Sequence, residues 1–468
     1  LISYLKMTLQ ELLALPEAER IAELKKYPAN RPDTQLLLKD WDYTKHDIFD
    51  PELRPKRKVL TQEATYNKDG TIHTPAKFKD EEVNRLALPL EQDIVNIHTA
   101  FTVGTPPKIT ANTDKTEQEE LLKLLTDLHK RNKLQYDNKR IVRSWFSECE
   151  VAEYWYVKPS KEDDPNPTYR LKSMIWSPFR GDTLYPYYDE YGDLIAFSRE
   201  YNKTDSKGIQ TSRLMVIDNQ NVTIYSNGTQ KEKYQHGFSK IPVIYMKRER
   251  PLCDKIRTLR NRLELLLSNF ADCLDYNFYP KLVASGDVKG TRNKGTGSEI
   301  IQLENDAQVS YLTWQQSPDM AKLEFDNLTS RCYALTNTPQ ITFEALQGIG
   351  NALSGKAFKF MFMGTHMAVS NHAETVEEFL QRRINFLLSA IVSLIPKYAS
   401  IAKQTQVSIE IVPYMIDSLT EKIADAVSAV QGGVASLKEG VILAGITDRV
   451  DEELAQIEKE KGKEVFKD

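Results

Sequence analysis

One run of sequence constrains this chain more than any other. From Phe358 the positions Phe362, Thr365, Val369, Ala373, Val376, Leu380, Ile384, Leu387, Ile391 and Leu394 follow at steps of three and four. Those steps average the α-helical period, so the run predicts one continuous helix with a single apolar stripe. At about 1.5 Å per residue it would be about 60 Å long, well beyond the usual globular helix. A stripe of that length needs other helices, or other copies of the chain, to cover it, which marks assembly rather than an active site. Two shorter runs share the pattern, one at Ile256, Leu259, Leu263, Leu266, Phe270 and Leu274, the other at Ala321, Phe325, Leu328, Cys332 and Leu335. Asp254 to Ile395 therefore reads as helix, loop-rich excursion, helix, glycine-punctuated loop and long helix.

The charge balance limits what such an assembly can hold. Lys plus Arg is 62 against 66 for Asp plus Glu. A protein that grips nucleic acid over a wide face shows a basic excess. Any contact with DNA is therefore expected to be weak, local or transient. Cys149, Cys253, Cys273 and Cys332 are scattered and form no CxxC pair. That pattern points to a reducing site of assembly, with Cys253 and Cys273 as buried structural thiols. No run of eighteen apolar residues exists, so no membrane span is expected. The densest stretch, Ile384 to Ile395, is short and flanked by Arg382, Arg383 and Pro396.

Along the chain, Thr8-Leu-Gln-Glu11 reads as a capping box opening a short helix that stops near Pro28. Asp42 to Lys79 is charged, proline-broken and aperiodic, as expected of an extended arm lying on another surface. Leu88 to Val103 predicts a helix with Ile94, Ile97 and Phe101 on one side, and Glu117 to Lys130 a second with Leu121, Leu124, Leu125 and Leu128. A third starts near Asp137 and leads into β-type sequence around Tyr154. Tyr169 to Trp176, Leu194 to Tyr201, Leu214 to Asp218 and Val222 to Tyr225 predict an antiparallel meander, its turns marked by sequences such as Ser-Asn-Gly-Thr. Its tyrosines read as core and sheet-face residues. Within the excursion, Glu299 to Leu303 and Val309 to Trp314 predict strands. After Pro396 come a strand at Val407 to Val412, a helix capped by Ser418-Leu-Thr-Glu421 and ending at Gly432-Gly433, and two more short helices.

Few motifs offer chemistry. Gly350-Asn-Ala-Leu-Ser-Gly355-Lys356 has the spacing of a phosphate-binding loop. Ala357 then stands where Mg²⁺ ligation needs Ser or Thr, and the metal is what neutralises developing phosphate charge. The other reading is a loop running into the long helix, with Ser354 as N-cap. Gly290 to Gly297 resembles a phosphate cradle only superficially and reads as a loop. The seven histidines show no metal-ligand spacing, and His366 and His372 do not share a helix face. No catalytic residue, cofactor or metal is expected.

The order of elements resembles the portal, or head-to-tail connector, family of tailed double-stranded DNA bacteriophages. Four stretches carry the likeness: Phe238-Ser-Lys-Ile-Pro-Val-Ile before the helix at Asp254; Asn351-Ala-Leu-Ser-Gly-Lys-Ala-Phe opening the longest helix; the Val407 strand with its following helix; and Gly440-Val-Ile-Leu through Ile446-Thr-Asp-Arg-Val-Asp-Glu-Glu. They cover roughly Leu88 to Lys461 and leave the first 80 residues outside. The resemblance implies a mixed α+β portal fold with wing, helical stem, clip and helical crown, assembling into a ring around a central channel. It places an N-terminal helix and arm at 1–80, wing at 81–252, stem helices at 253–280 and 318–338, and clip at 281–317. A tunnel loop follows at 339–353, the long wing helix and strand at 354–413, and crown helices at 414–468.

By the same resemblance the chain is a non-enzymatic component of the virion at the head-tail junction, assembled in the host cytoplasm as a dodecameric ring. Double-stranded DNA would pass through it non-specifically. The implied partners are the major capsid protein, the terminase motor and a head-completion or adaptor protein. Gln340, Gln347, Gly348, Gly350 and Asn351 would face the DNA, with Pro339, Gly348 and Gly350 giving the loop its stop and its freedom. Lys289, Arg292 and Lys294 would meet a partner at the clip. A channel wall without basic excess suits sliding DNA, since each neutralised phosphate adds salt-sensitive grip. Two alternatives remain at this point: an ATPase subunit using Gly350 to Lys356, and a scaffold or adaptor without a channel.

Overall fold

The computed structural model describes residues 8–26, 31–112, 115–159, 169–277, 281–285, 288–293, 299–303, 308–312, 318–340, 362–414, 419–447 and 450–464. The chain opens with α1 (Leu9–Ala14), whose Thr8 and Glu11 form the expected capping box. Pro16 interrupts it, so one predicted helix becomes two, α2 (Glu17–Leu24) following at once. Next comes α3 (Thr34–Trp41), N-capped by Asp33. The predicted extended arm then proves to contain a two-stranded ribbon. Arg57–Gln62 pairs antiparallel with Lys77–Glu81, and Thr65–Tyr66 with Ile72–Thr74.

The main core forms around α4 (Leu90–Val103), α5 (Thr116–Asn132) and α6 (Leu134–Glu148). Leu121, Leu125, Leu134, Ile94 and Phe146 are fully buried there. A three-stranded sheet continues it, with Glu150–Pro159 in the centre between Val243–Lys247 and Tyr169–Trp176. Tyr169–Trp176 was expected in the meander but belongs to this separate sheet. The meander itself has five strands, in the order Thr229–Gln235, Asn221–Ser226, Gln210–Ile217, Leu194–Thr204, Thr183–Tyr188. Asn227 and Gly228 both take positive φ (51° and 77°) between the paired Ser226 and Thr229. This is the left-handed pair a tight hairpin demands. Tyr154 and Trp176 stack at 4.6 Å in the buried seam between the sheets.

A helical pair follows: α7 (Arg257–Asn277) and α8 (Pro318–Leu335). Between them Lys281–Ser285 pairs with Gln308–Leu312, and Val288–Asn293 with Glu299–Leu303. The glycine run at 290 was expected to be loop. Its first residues instead lie in a strand, Gly290 opposite Gln302. Of the two thiols expected to be buried, Cys253 is and Cys273 is exposed, because Cys273 lies on the distal half of α7 where covering chain runs out.

The long helix α9 (Met363–Leu394) has 32 residues, hence about 48 Å. Its N-cap position is Phe362, and the sequence-predicted Ser354 cap lies outside the described residues with Phe358. Thr365, Val369, Val376, Leu380, Ile384, Leu387 and Ile391 are buried. They pack on α4, on Val243–Lys247 and on the strand Val407–Glu410, all of the same chain. Of the two covers the sequence left open, other helices or other copies, elements of the same chain supply it for these residues, while Leu394 stays exposed. Periodicity identifies an apolar face, but the partner that covers it is set by tertiary topology. On the same face Arg383, fully buried, donates from Nε to Glu153 (2.7 Å) and from Nη1 to Asn138 (2.5 Å). Burial raises the Glu153 carboxyl pKa although Arg383 pulls it down.

Beyond α10 (Ala399–Gln404), Val407–Glu410 pairs with Lys108–Ala111. The chain closes with α11 (Leu419–Gln431), α12 (Leu437–Ala444) and α13 (Val450–Glu464). The predicted Ser418 cap lies outside the described residues. Gly440 permits α12 to approach α11, since a Cβ there would strike Val430.

Candidate channel-facing and partner-docking elements

Both ends of the stretch 341–361 are rooted on one helix. After α8, Asn337 turns with φ 53°, and Thr338 Oγ1 lies 3.0 Å from His98 Nε2. Thr336 Oγ1 stands 2.8 Å from Thr338 Oγ1, and Thr365 of α9 donates to the Asn337 carbonyl at 2.8 Å. At the far root Phe362 is buried with its ring 5.4 Å from Phe101, which also meets His366 and Tyr414 edge-on. His98 and Phe101 are three apart on α4, neighbours on one helical face. Burial lowers the His98 pKa to about 4 and that of His372, packed edge-on against it, to about 3. Both rings are thus neutral near pH 7.

Gln340 is exposed where the chain leaves this anchor. Gln347, Gly348, Gly350 and Asn351 lie outside the described residues, as does the phosphate-loop-like run to Lys356. Lys289 and Arg292 lie on the strand Val288–Asn293, Arg292 opposite Ile300. Lys294 lies outside the described residues. No group of His, Cys, Asp or Glu that could hold a metal occurs among the described residues.

The first half of α7 is tied down by polar groups that the apolar count overlooked. Arg260, Glu264, Ser268 and Asp272 are four apart, so they line one face. Arg260 reaches Glu91 at 2.7 Å and Asp40 at 3.1 Å. Glu264 Oε1 lies 2.5 Å from His46 Nδ1 and accepts the Leu88 N–H at 2.9 Å. Ser268 accepts the Leu86 N–H, and Asp272 accepts from Asn84 N and from Arg54. Arg260, Glu264 and Ser268 are all buried, so each must be matched or it costs stability. Burial pushes the Glu91 pKa up to about 7 against the pull of Arg260. The sequence signal was available: Arg, Glu, Ser and Asp at strict spacing of four beside the apolar stripe.

The apolar stripe of α7 and α8 is covered unevenly. Ile256, Leu263 and Cys332 are buried, and Leu259, Leu266, Phe270, Phe325 and Leu328 are half-buried. Leu274 is 45% exposed, Leu335 48%, Leu323 63% and Met320 76%. This pair presents apolar surface that the chain leaves open, as α9 does only at Met363, Met367 and its last stripe residue Leu394.

The family model described as phage portal protein, SPP1 Gp6-like, matches residues 17–465. This chain belongs to that phage portal family. The match takes in the N-terminal arm, which the sequence resemblance had left outside. No curated protein matches the chain. Among solved structures, a chain of "Neck of empty GTA particle computed with C6 symmetry" superposes with a TM-score of 0.41 and 11% identity, covering 77% of this chain and 90% of that one. Portal membership makes the protein a structural component of a phage head-tail junction, and implies a ring oligomer with capsid and tail partners. The family is one of structural proteins rather than enzymes.

Proposed function

We propose that the chain forms a portal ring at one capsid vertex, the channel through which double-stranded DNA is packaged, retained and ejected. The family match over residues 17–465 carries this reading. In it, residues 81–252 with the long helix and strand of 354–413 are the wing. The α7–α8 pair is the stem, 281–317 the clip, 339–353 the tunnel loop and 414–468 the crown. The clip docks the terminase motor and afterwards a head-completion or adaptor protein, with Lys289, Arg292 and Lys294 at that contact. The wing side meets the major capsid protein, and the ring is dodecameric and assembled in the host cytoplasm. Gln340, Gln347, Gly348, Gly350 and Asn351 face the duplex.

Support for the loop assignment is the double root on α4, which would hold a projecting segment at a fixed base. Support for the stem assignment is the open apolar surface of α7–α8, since a closed ring covers such surface with the next copy. Native mass measurement with negative-stain microscopy tests the reading. A closed ring with an axial hole wide enough for a duplex is expected. A purified chain that stays monomeric at micromolar concentration overturns it.

A further inference from the structure

The ribbon at 57–81 is among the least covered elements of the described chain. Arg57–Gln62 is exposed except at Val59, and Lys77–Glu81 except at Glu81. Yet it carries two cross-strand apolar pairs, Leu60 with Phe78 and Tyr66 with Ile72. Their exposures are 45% and 60%, then 65% and 62%. A two-stranded hairpin is marginal by itself in water and normally needs a surface to pack on. Exposed ribbons meant to stay free carry charges rather than paired apolar side chains.

The ribbon's base tells where that surface lies. Arg54 and Asn84, either side of the ribbon, are both held by Asp272 of α7. Arg57 lies over the ring of Tyr276, 5.6 Å from its centre. The ribbon thus springs from α7 at the level where its stripe becomes uncovered. Arg262 of α7 pairs with Glu324 of α8 at 2.8 Å, so the bare Met320 and Leu323 lie only a few turns from that level. A ribbon arm of about twelve residues at about 3.3 Å each spans about 40 Å, enough to cross to an adjacent subunit. In a ring the contact is heterologous, one patch on one copy meeting a different patch at the same height on the next.

We propose that residues 57–81 form a strap that lies across the α7–α8 face of the neighbouring copy, Leu60 and Phe78 covering Met320 and Leu323. The proposal rests on the ring reading and names how adjacent copies interlock. The test uses the full chain with Cys273→Ser to remove the exposed thiol, adding Phe78→Cys and Leu323→Cys. Mild oxidation is expected to give a ladder of covalent multimers on a denaturing gel. A second protein, Leu60→Asp with Phe78→Asp, is expected to keep the wild-type circular dichroism while its ring dissociates at concentrations at least ten-fold higher. Rings of the cysteine-pair variant that give no ladder, or only cross-links within one chain, overturn the strap. So does an aspartate variant whose rings dissociate at the wild-type concentration. A wild-type chain that forms no ring overturns the portal reading and the strap together, which keeps the two failures apart.

Discussion

Two helical regions of this chain carry the same sequence pattern and meet opposite fates. In α9 the apolar stripe is sealed from Thr365 to Ile391 by α4, by Val243–Lys247 and by Val407–Glu410, with Leu394 left open at its end. In α7–α8 the stripe is sealed only near Ile256, Leu263 and Cys332, and fades to open surface at Leu274, Leu323 and Met320. Each region buries an ion pair, Arg383 with Glu153 in the former and Arg260 with Glu91 in the latter, where a ladder of polar side chains also holds the arm. The lesson is that period and covering are separate facts. A repeat of 3.6 fixes which residues share a face, whereas the partner depends on contacts hundreds of residues away.

The comparison can be broken most forcefully at Arg383. Replacing it with Met leaves Glu153 buried without its cation, and a loss of about 3 to 5 kcal/mol in urea unfolding is expected. Adding Glu153→Leu should return much of that loss; if the single variant unfolds like wild type, α9 is not sealed as described. Next, Leu387→Ala in α9 should cost about 2 to 5 kcal/mol, with the same cost in dissociated protomers as in the ring. Acid should then weaken the sealed region in a graded way. Burial holds His98, His129 and His372 at about 4, 4 and 3. Their stability contribution is complete above the unfolded value near 6.5 and is lost as pH falls toward the folded values. Glu91, raised to about 7, acts oppositely, its penalty appearing as pH rises from about 4.5 to 7. The histidines therefore weaken the fold as pH falls from 6.5 toward 4.5, and Glu91 together with the likewise raised Glu148, Glu150 and Glu153 offsets part of that loss. A His98→Asn, His372→Asn protein that loses stability with acid as steeply as the wild type would contradict the burial of these rings.

Smaller effects sharpen the contrast. Thr338→Val leaves His98 Nε2 without its partner and should cost about 1 to 3 kcal/mol, read as earlier proteolysis within 341–361. At the lower end, Leu274→Ser should change protomer stability by no more than about 0.5 kcal/mol, yet lower the thermal midpoint of the assembled ring. Equal losses in protomer and ring would mean that the α7 stripe is covered within its own chain.

Much of the fold was legible where local chemistry spoke alone. The Thr8–Glu11 box, the Asn227-Gly228 turn and the helices at 90–103 and 116–132 follow from caps, turn residues and period. What stayed hidden depended on distant partners. Thr183–Tyr188 breaks strand expectation with Pro186, and Thr229–Gln235 is an exposed edge strand with no alternation to read. The ladder Arg260, Glu264, Ser268 and Asp272 takes its meaning from the arm residues 40–91 laid against it, which periodicity alone does not show. Of the candidate site, the sequence proposes the tunnel-loop residues, of which only Gln340 is among the described residues. It could not show that His98 and Phe101, some 240 and 260 residues upstream of Thr338 and Phe362, are the pegs on which its ends hang.

Those pegs stand about one helical turn apart, close to 4.5 Å along the axis of α4. The gap to be bridged is therefore the same however much chain is inserted between Gln340 and Phe362. Doubling such an insert costs only about 0.6 kcal/mol in closure entropy. A longer, shorter or differently charged piece can thus join the same two pegs without any redesign of the frame that carries them.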